Sequence, residues 1–206
     1  MKTLNRPKTE NVDYAFKQAD RFSRSAVLLA NAMVGVVDIR ANLEQRRFLP
    51  VVIKDGDRMY CFFNSPTKNS DMDFLNPYIV NAAFALELYL KVLLYGQRNK
   101  WENSHELHGL FTKLSRQSQE SIKSRFRATT SEVQYMTVRD TVRKDTALTD
   151  FDWDIDVLLA NSSHAFVQWR YPFEGNLGWF AGFWELRQAI VYEIKSSRAA
   201  NAIVEK

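Results

Sequence analysis

The chain is poor in the residues that staple, bend or interrupt a fold. It carries a single cysteine, Cys61, so no disulfide can close within it and no cysteine-based zinc cluster can form. Three histidines leave little material for a dedicated metal site. Seven glycines and five prolines in 206 residues are too few for a many-turned β architecture and favour long helices. There is no glycine-rich phosphate loop, no Gly-x-Ser-x-Gly elbow and no His- or Cys-rich ligand spacing. The expectation is therefore a protein without metal or cofactor. The first ten residues lack the apolar stretch of a secretory leader, which points to the cytoplasm.

What is present suits one globular domain. The chain is 46% hydrophobic and 25% charged, and its 14 Phe, 8 Tyr and 5 Trp are ample for a packed core. A net charge of +4 permits a polyanionic partner without demanding one.

Apolar periodicity organises the chain. Residues 1–10 read as a flexible tail. Ala15, Ala19, Phe22, Ala26, Leu29, Ala30, Met33 and Val37 follow in steps of three and four, the pattern of an amphipathic helix whose outer face carries Lys17, Asp20 and Arg24. Residues 48–63 hold two β-rich runs around Asp55-Gly56, a hairpin signal. Residues 77–96 run from a proline to a glycine and are apolar almost all the way round. Glu87 and Lys91 sit in the middle of this stretch, where each charge would cost about 2.5–3.5 kcal/mol in a bilayer, so the stretch reads as a buried helix and no membrane contact is expected. Leu107, Leu110, Phe111 and Leu114 restart the helical period, and Ile122 and Phe126 continue it after a bend. Residues 127–150 are polar and read as a mobile connection. Phe151, Ile155, Leu158, Leu159, Phe166 and Trp169 predict a helix over 150–170, and Phe183, Leu186, Ile190 and Ile194 predict a last one ending near Arg198. The expected fold is all-α: an up-and-down bundle of about five long helices, with a small inserted hairpin, in one domain over 11–199 and a tail over 200–206. Its surplus of apolar surface, notably the 77–96 helix and Trp179, Phe180, Phe183 and Trp184, predicts a homodimer.

Charge is unevenly placed. Residues 98–144 hold ten Lys or Arg against five Asp or Glu, whereas residues 145–156 hold five Asp and no base. Such a basic stretch offers a surface for a polyanion; it is equally the composition of solvated loops next to an acid-rich helix start. His105 and His108, with Glu106 between them, are the nearest approach to a metal-ligand spacing, and no metal is expected there.

Two groups of residues carry the chemistry. Glu87 lies inside a nearly all-apolar helix with Lys91 four residues on, the favourable order for a helical ion pair; it either pairs at the edge of a buried face or faces a cleft and organises a polar site. His105 follows shortly after. The second group is Trp169-Arg170-Tyr171-Pro172-Phe173-Glu174-Gly175-Asn176. Arg170 has the planar fork that suits phosphate or carboxylate, and Glu174 is its nearest internal partner. Arg170, Tyr171, Glu174 and Asn176 are the candidate binding residues here.

Three segments together, Ala85-Leu86-Glu87-Leu88-Tyr89-Leu90-Lys91-Val92-Leu93-Leu94, Ser104-His105-Glu106-Leu107 and the late Trp169-Arg170-Tyr171-Pro172-Phe173-Glu174, resemble the HEPN superfamily of all-α domains. The resemblance spans residues 12–198, with the hairpin as an insertion. It implies a dimerising helical bundle of the kind found in toxin–antitoxin, phage-defence and RNA-processing systems, many members being metal-independent ribonucleases. Active members carry an Arg followed after four to six residues by His. Arg170 fits the Arg, and the His would fall at Gly175, Asn176 or Leu177, none of which is His. The resemblance thus implies a non-catalytic domain that binds RNA or a partner protein such as a cognate antitoxin. The alternatives are an endoribonuclease using Arg170 with Glu174 or His105 in place of the missing imidazole, and a structural subunit of a complex.

Overall fold

The computed structural model of the chain describes residues 8–33, 51–55, 58–62, 72–146, 148–163 and 180–204. Among the described residues seven α-helices follow in order: α1 (Lys8–Met33), α2 (Leu75–Arg98), α3 (Leu107–Thr112), α4 (Arg116–Thr130), α5 (Val133–Asp145), α6 (Ile155–Ser162) and α7 (Phe183–Val204). The structure is all-α in class. Two short strands, β1 (Val51–Asp55) and β2 (Arg58–Phe62), lie between α1 and α2 and pair antiparallel with Ile53 opposite Tyr60.

Helix α2 is the centre of the fold. By length and composition it would cross a bilayer, yet most of its apolar window is buried inside the protein. Its partner α1 presents Ala19, Ser23, Ala26 and Ala30, all buried, along one stripe. These small side chains let the two backbones approach, and Phe22 meets Phe84 edge-on at 4.6 Å. Helix α7 closes α2 on another side with Trp184, Leu186, Ile190 and Ile194, all buried. Phe180, Phe183 and Trp184 therefore lie inside the protomer and are not the outer patch that the sequence offered as a dimer surface.

Helix boundaries differ from expectation for local reasons. α2 passes Gly96 and ends at Asn99, which adopts φ 52° and donates its N–H to Tyr95 O at 2.7 Å. Asn tolerates this left-handed position, and Gly96 remains helical. The connection expected over 127–150 contains α5, whose Tyr135 and Val142 are buried. Tyr135 Oη donates to Glu185 Oε1 of α7 at 2.5 Å, and Trp153 Nε1 donates to Tyr135 O at 2.8 Å. The helix expected from residue 150 starts at Ile155, because Asp154 accepts from the N–H groups of Asp156 and Val157 at 3.0 Å each and caps it. At Gly182 φ is +70° and an added Cβ would stand 3.3 Å from the Phe126 ring and 3.4 Å from Leu158 Cδ1, so the entry to α7 requires glycine. The last helix continues past Arg198 to Val204.

Candidate functional site

The sequence places Glu87 where a charge is expensive, and the structure shows how it is held. Glu87 is only 1% exposed on the face of α2 turned to α3. Its Oε1 accepts from Lys91 Nζ at 2.8 Å and lies 3.0 Å from His105 Nδ1. Of the two readings of Glu87 the structure has the buried pair, with the Lys91 side chain 11% exposed beside it. Its Oε2 has no hydrogen-bond partner among the described residues. His105 reaches α2 from the extended run before α3. That run is pinned by Trp101 against Tyr95, ring centroids 4.7 Å apart, and by Lys113 donating to Glu102 at 2.7 Å. The bond from Lys113, first among several causes, holds the Glu102 carboxyl below its usual range. The imidazole itself is 63% exposed, so a buried carboxylate presents a histidine to solvent.

Three sequence-designated residues, Glu87, Lys91 and His105, thus come together. His108 does not join them: its Nε2 lies 3.8 Å from Asp156 Oδ1 and its backbone N–H donates to Ser163. The two histidines serve different carboxylates, and no group of three or more His, Cys, Asp or Glu among the described residues is placed to hold a metal ion. Arg170, Tyr171, Glu174 and Asn176 lie outside the described residues.

Two residues beyond Glu87, about 200° around the helix, Tyr89 centres a second network. Its Oη donates to Asp20 Oδ1 at 2.5 Å, and Ser23 Oγ lies 3.1 Å away. Arg187 of α7 donates through Nε to Tyr89 Oη and through Nη2 to Asp20 Oδ1, each at 3.3 Å. Burial above all pushes the Tyr89 phenol far above its ordinary range; Arg187 pulls it down and donation to Asp20 adds to the rise. Asp20, expected on a solvated face, is part of this interior network. Arg187 was not singled out from sequence. The available signal was a guanidinium and a carboxylate, Arg187 and Glu185, among the core-forming Phe183, Trp184 and Leu186.

Much of the basic stretch is neutralised locally. Arg139 and Arg143 reach Asp152 at 4.0 and 3.8 Å, and Lys123 reaches Asp156 at 2.6 Å. The acidic segment folds back on the basic one and occupies it. Within the basic stretch Arg116, Arg125 and Arg127 of α4 and Lys144 of α5 are exposed and have no acidic partner among the described residues, and the same holds for Lys195 of α7 beyond it. The Arg125 guanidinium stacks over the Tyr192 ring, 3.1 Å from its centroid, and Tyr192 is 47% exposed.

No family model, no curated protein and no solved structure matches the chain.

Proposed function

We propose that the chain is a HEPN-like helical domain that binds RNA without cleaving it, in a prokaryotic defence or toxin–antitoxin setting. On this reading the bundle consists of five long helices, α1, α2, α4, α5 and α7, with the hairpin inserted after α1, and it works as a homodimer in the cytoplasm. The observation that carries the reading is the unequal neutralisation of charge. Acids take Arg139 and Arg143 of α5 and Lys123 of α4, while Arg116, Arg125 and Arg127 of α4 and Lys195 of α7 are left over, with the Arg125 guanidinium stacked on an exposed ring. Cations track a phosphate backbone, and an aromatic surface beside them accepts a base. Arg170 is the further phosphate receptor on this reading.

The test is RNA binding measured by fluorescence anisotropy over a range of salt, using single-stranded and structured RNA. Arg125→Ala and Arg170→Ala should each fold, weaken binding and reduce the salt slope by about one contact. Lys at 170 keeps the charge without the bidentate fork and should restore only part of the binding. RNA left unbound at low salt sinks the reading.

A second reading is favoured by His105. The tautomer that donates from Nδ1 to Glu87 leaves Nε2 as an acceptor facing water, the arrangement of an oriented general base. Cleavage of RNA that persists in chelator and disappears in His105→Ala or Arg170→Ala would install a metal-independent endoribonuclease in place of the binding domain.

A further inference from the structure

A pocket of about 510 Å³ opens where the start of α1, the end of α2, the start of α4 and the later part of α7 converge. Its size lies within the roughly 300–1,000 Å³ of small-molecule sites. Among the described residues its one acid is Glu193, and no Lys, Arg or His lines it. Glu193 is 9% exposed. Its Oε1 accepts from Ser118 Oγ and its Oε2 from Ser121 Oγ, both at 2.7 Å. Gln97 Nε2 in turn donates to Ser118 Oγ at 2.9 Å, so the chain runs amide to hydroxyl to carboxylate and the Ser118 proton is committed to Glu193.

This arrangement hydrates a carboxylate without neutralising it. A carboxylate offers about four acceptor positions, and the two serines fill two. The N-terminus of α4, worth about half a positive charge, steadies the anion without cancelling it. No cation stands within ion-pair distance of Glu193 among the described residues. A buried charge lacking a counter-charge is costly, and a bound cation removes that cost. We propose that this pocket binds a small organic amine, its ammonium group on Glu193. The ammonium has three donors for the two remaining carboxylate positions and a nearby hydroxyl of Ser196 or Ser197. Val92, Leu93 and Ile194 supply apolar wall for an alkyl chain. The site is separate from the Glu87–His105 centre and does not rest on the RNA reading.

The test is calorimetric titration of the full chain at physiological salt with putrescine and spermidine, using uncharged 1,4-butanediol as the shape control. One amine should bind per chain and the diol should not. Glu193→Gln keeps the shape and removes the charge; it should weaken amine binding at least about tenfold, the equivalent of roughly 1.4 kcal/mol. Should that variant fail to fold, Gly96→Met provides the second arm. An added Cβ at Gly96 meets nothing within 4 Å, and Gly96 lines the pocket, so a longer side chain is accommodated at the pocket's rim and narrows the way in. It too should weaken binding. No heat with either amine at low-millimolar concentration overturns the proposal. Equal binding by the diol overturns it as well, and so does amine binding that both variants retain.

Discussion

The two polar centres on α2 are built from similar parts and end in different states. Around Tyr89, the phenol oxygen and one Asp20 oxygen take part in every short bond, and Arg187 closes the ring from α7 at 3% exposure. Around Glu87, one oxygen takes both Lys91 and His105, the other has no partner among the described residues, and the imidazole looks outward. The first centre joins three helices and spends its polar capacity on the fold. The second spends only part of its capacity and keeps a titratable ring in water. A buried charge is thus no sign of function in itself; the distinguishing mark is capacity left over.

Mutations that break each centre should separate them. The largest loss is expected for Arg187→Ala, which removes the buried guanidinium shared by Tyr89 and the half-buried Asp20. Stability should fall by about 3–4 kcal/mol, within the range for a broken buried pair and short of its top because Asp20 is partly in water, read from denaturant midpoints. Arg187→Lys should recover little, because Nε and Nη2 bond to different atoms. Glu87→Ala should cost about 3 kcal/mol, the lower end of that range, since Lys91 can extend its ammonium toward water. A loss under about 1 kcal/mol would place Glu87 among exposed pairs and undo the contrast.

Tyr89→Phe should cost about 1–2 kcal/mol at neutral pH, the worth of a hydrogen bond to a charged group. It also has a signature in alkali. The folded phenol is raised, while the unfolded one titrates near its usual value of about 10. The folded state therefore holds the proton longer. Its stabilising contribution is whole below about pH 10 and is lost as pH rises beyond, by up to roughly 1.4 kcal/mol per pH unit. Unfolding midpoints taken from neutral to strongly alkaline pH should fall more steeply for wild type than for Tyr89→Phe; parallel curves would refute this. The smallest effect belongs to His105→Ala, under about 1 kcal/mol for so exposed a partner. Only the nuclease reading gives that variant a loss of activity.

The helical class was legible because α1 and α7 are long and keep a helical period, and α2 is a long apolar run bounded by a proline and a glycine. The Glu87–Lys91 pair was legible because both partners fall within one helical turn of sequence. The Tyr89 network was not, since Asp20 and Arg187 lie 69 and 98 residues from Tyr89 and leave no local pattern. Helix α5 escaped for a related reason. Only Tyr135 and Val142 are fully buried on it, and their burial comes from partners in other segments. The start of the 150–170 helix falls too early because Phe151 stands four residues before Ile155 and so matches its apolar stripe, while Asp154, which caps the helix, follows it.

The bond from Arg187 to Asp20 spans 167 residues of sequence. A ribosome adding roughly 5–20 residues per second takes about 10–30 seconds to travel that distance. For the later part of that interval, the 98 residues from Tyr89 to Arg187, α1 and α2 exist without the guanidinium that completes their shared interior. The amino-terminal helices must therefore wait, incompletely assembled and with apolar faces showing, for a segment still being translated. A nascent chain of this design has a long period of exposure to chaperones, and synonymous changes that slow elongation between the codons for Tyr89 and Arg187 would lengthen it.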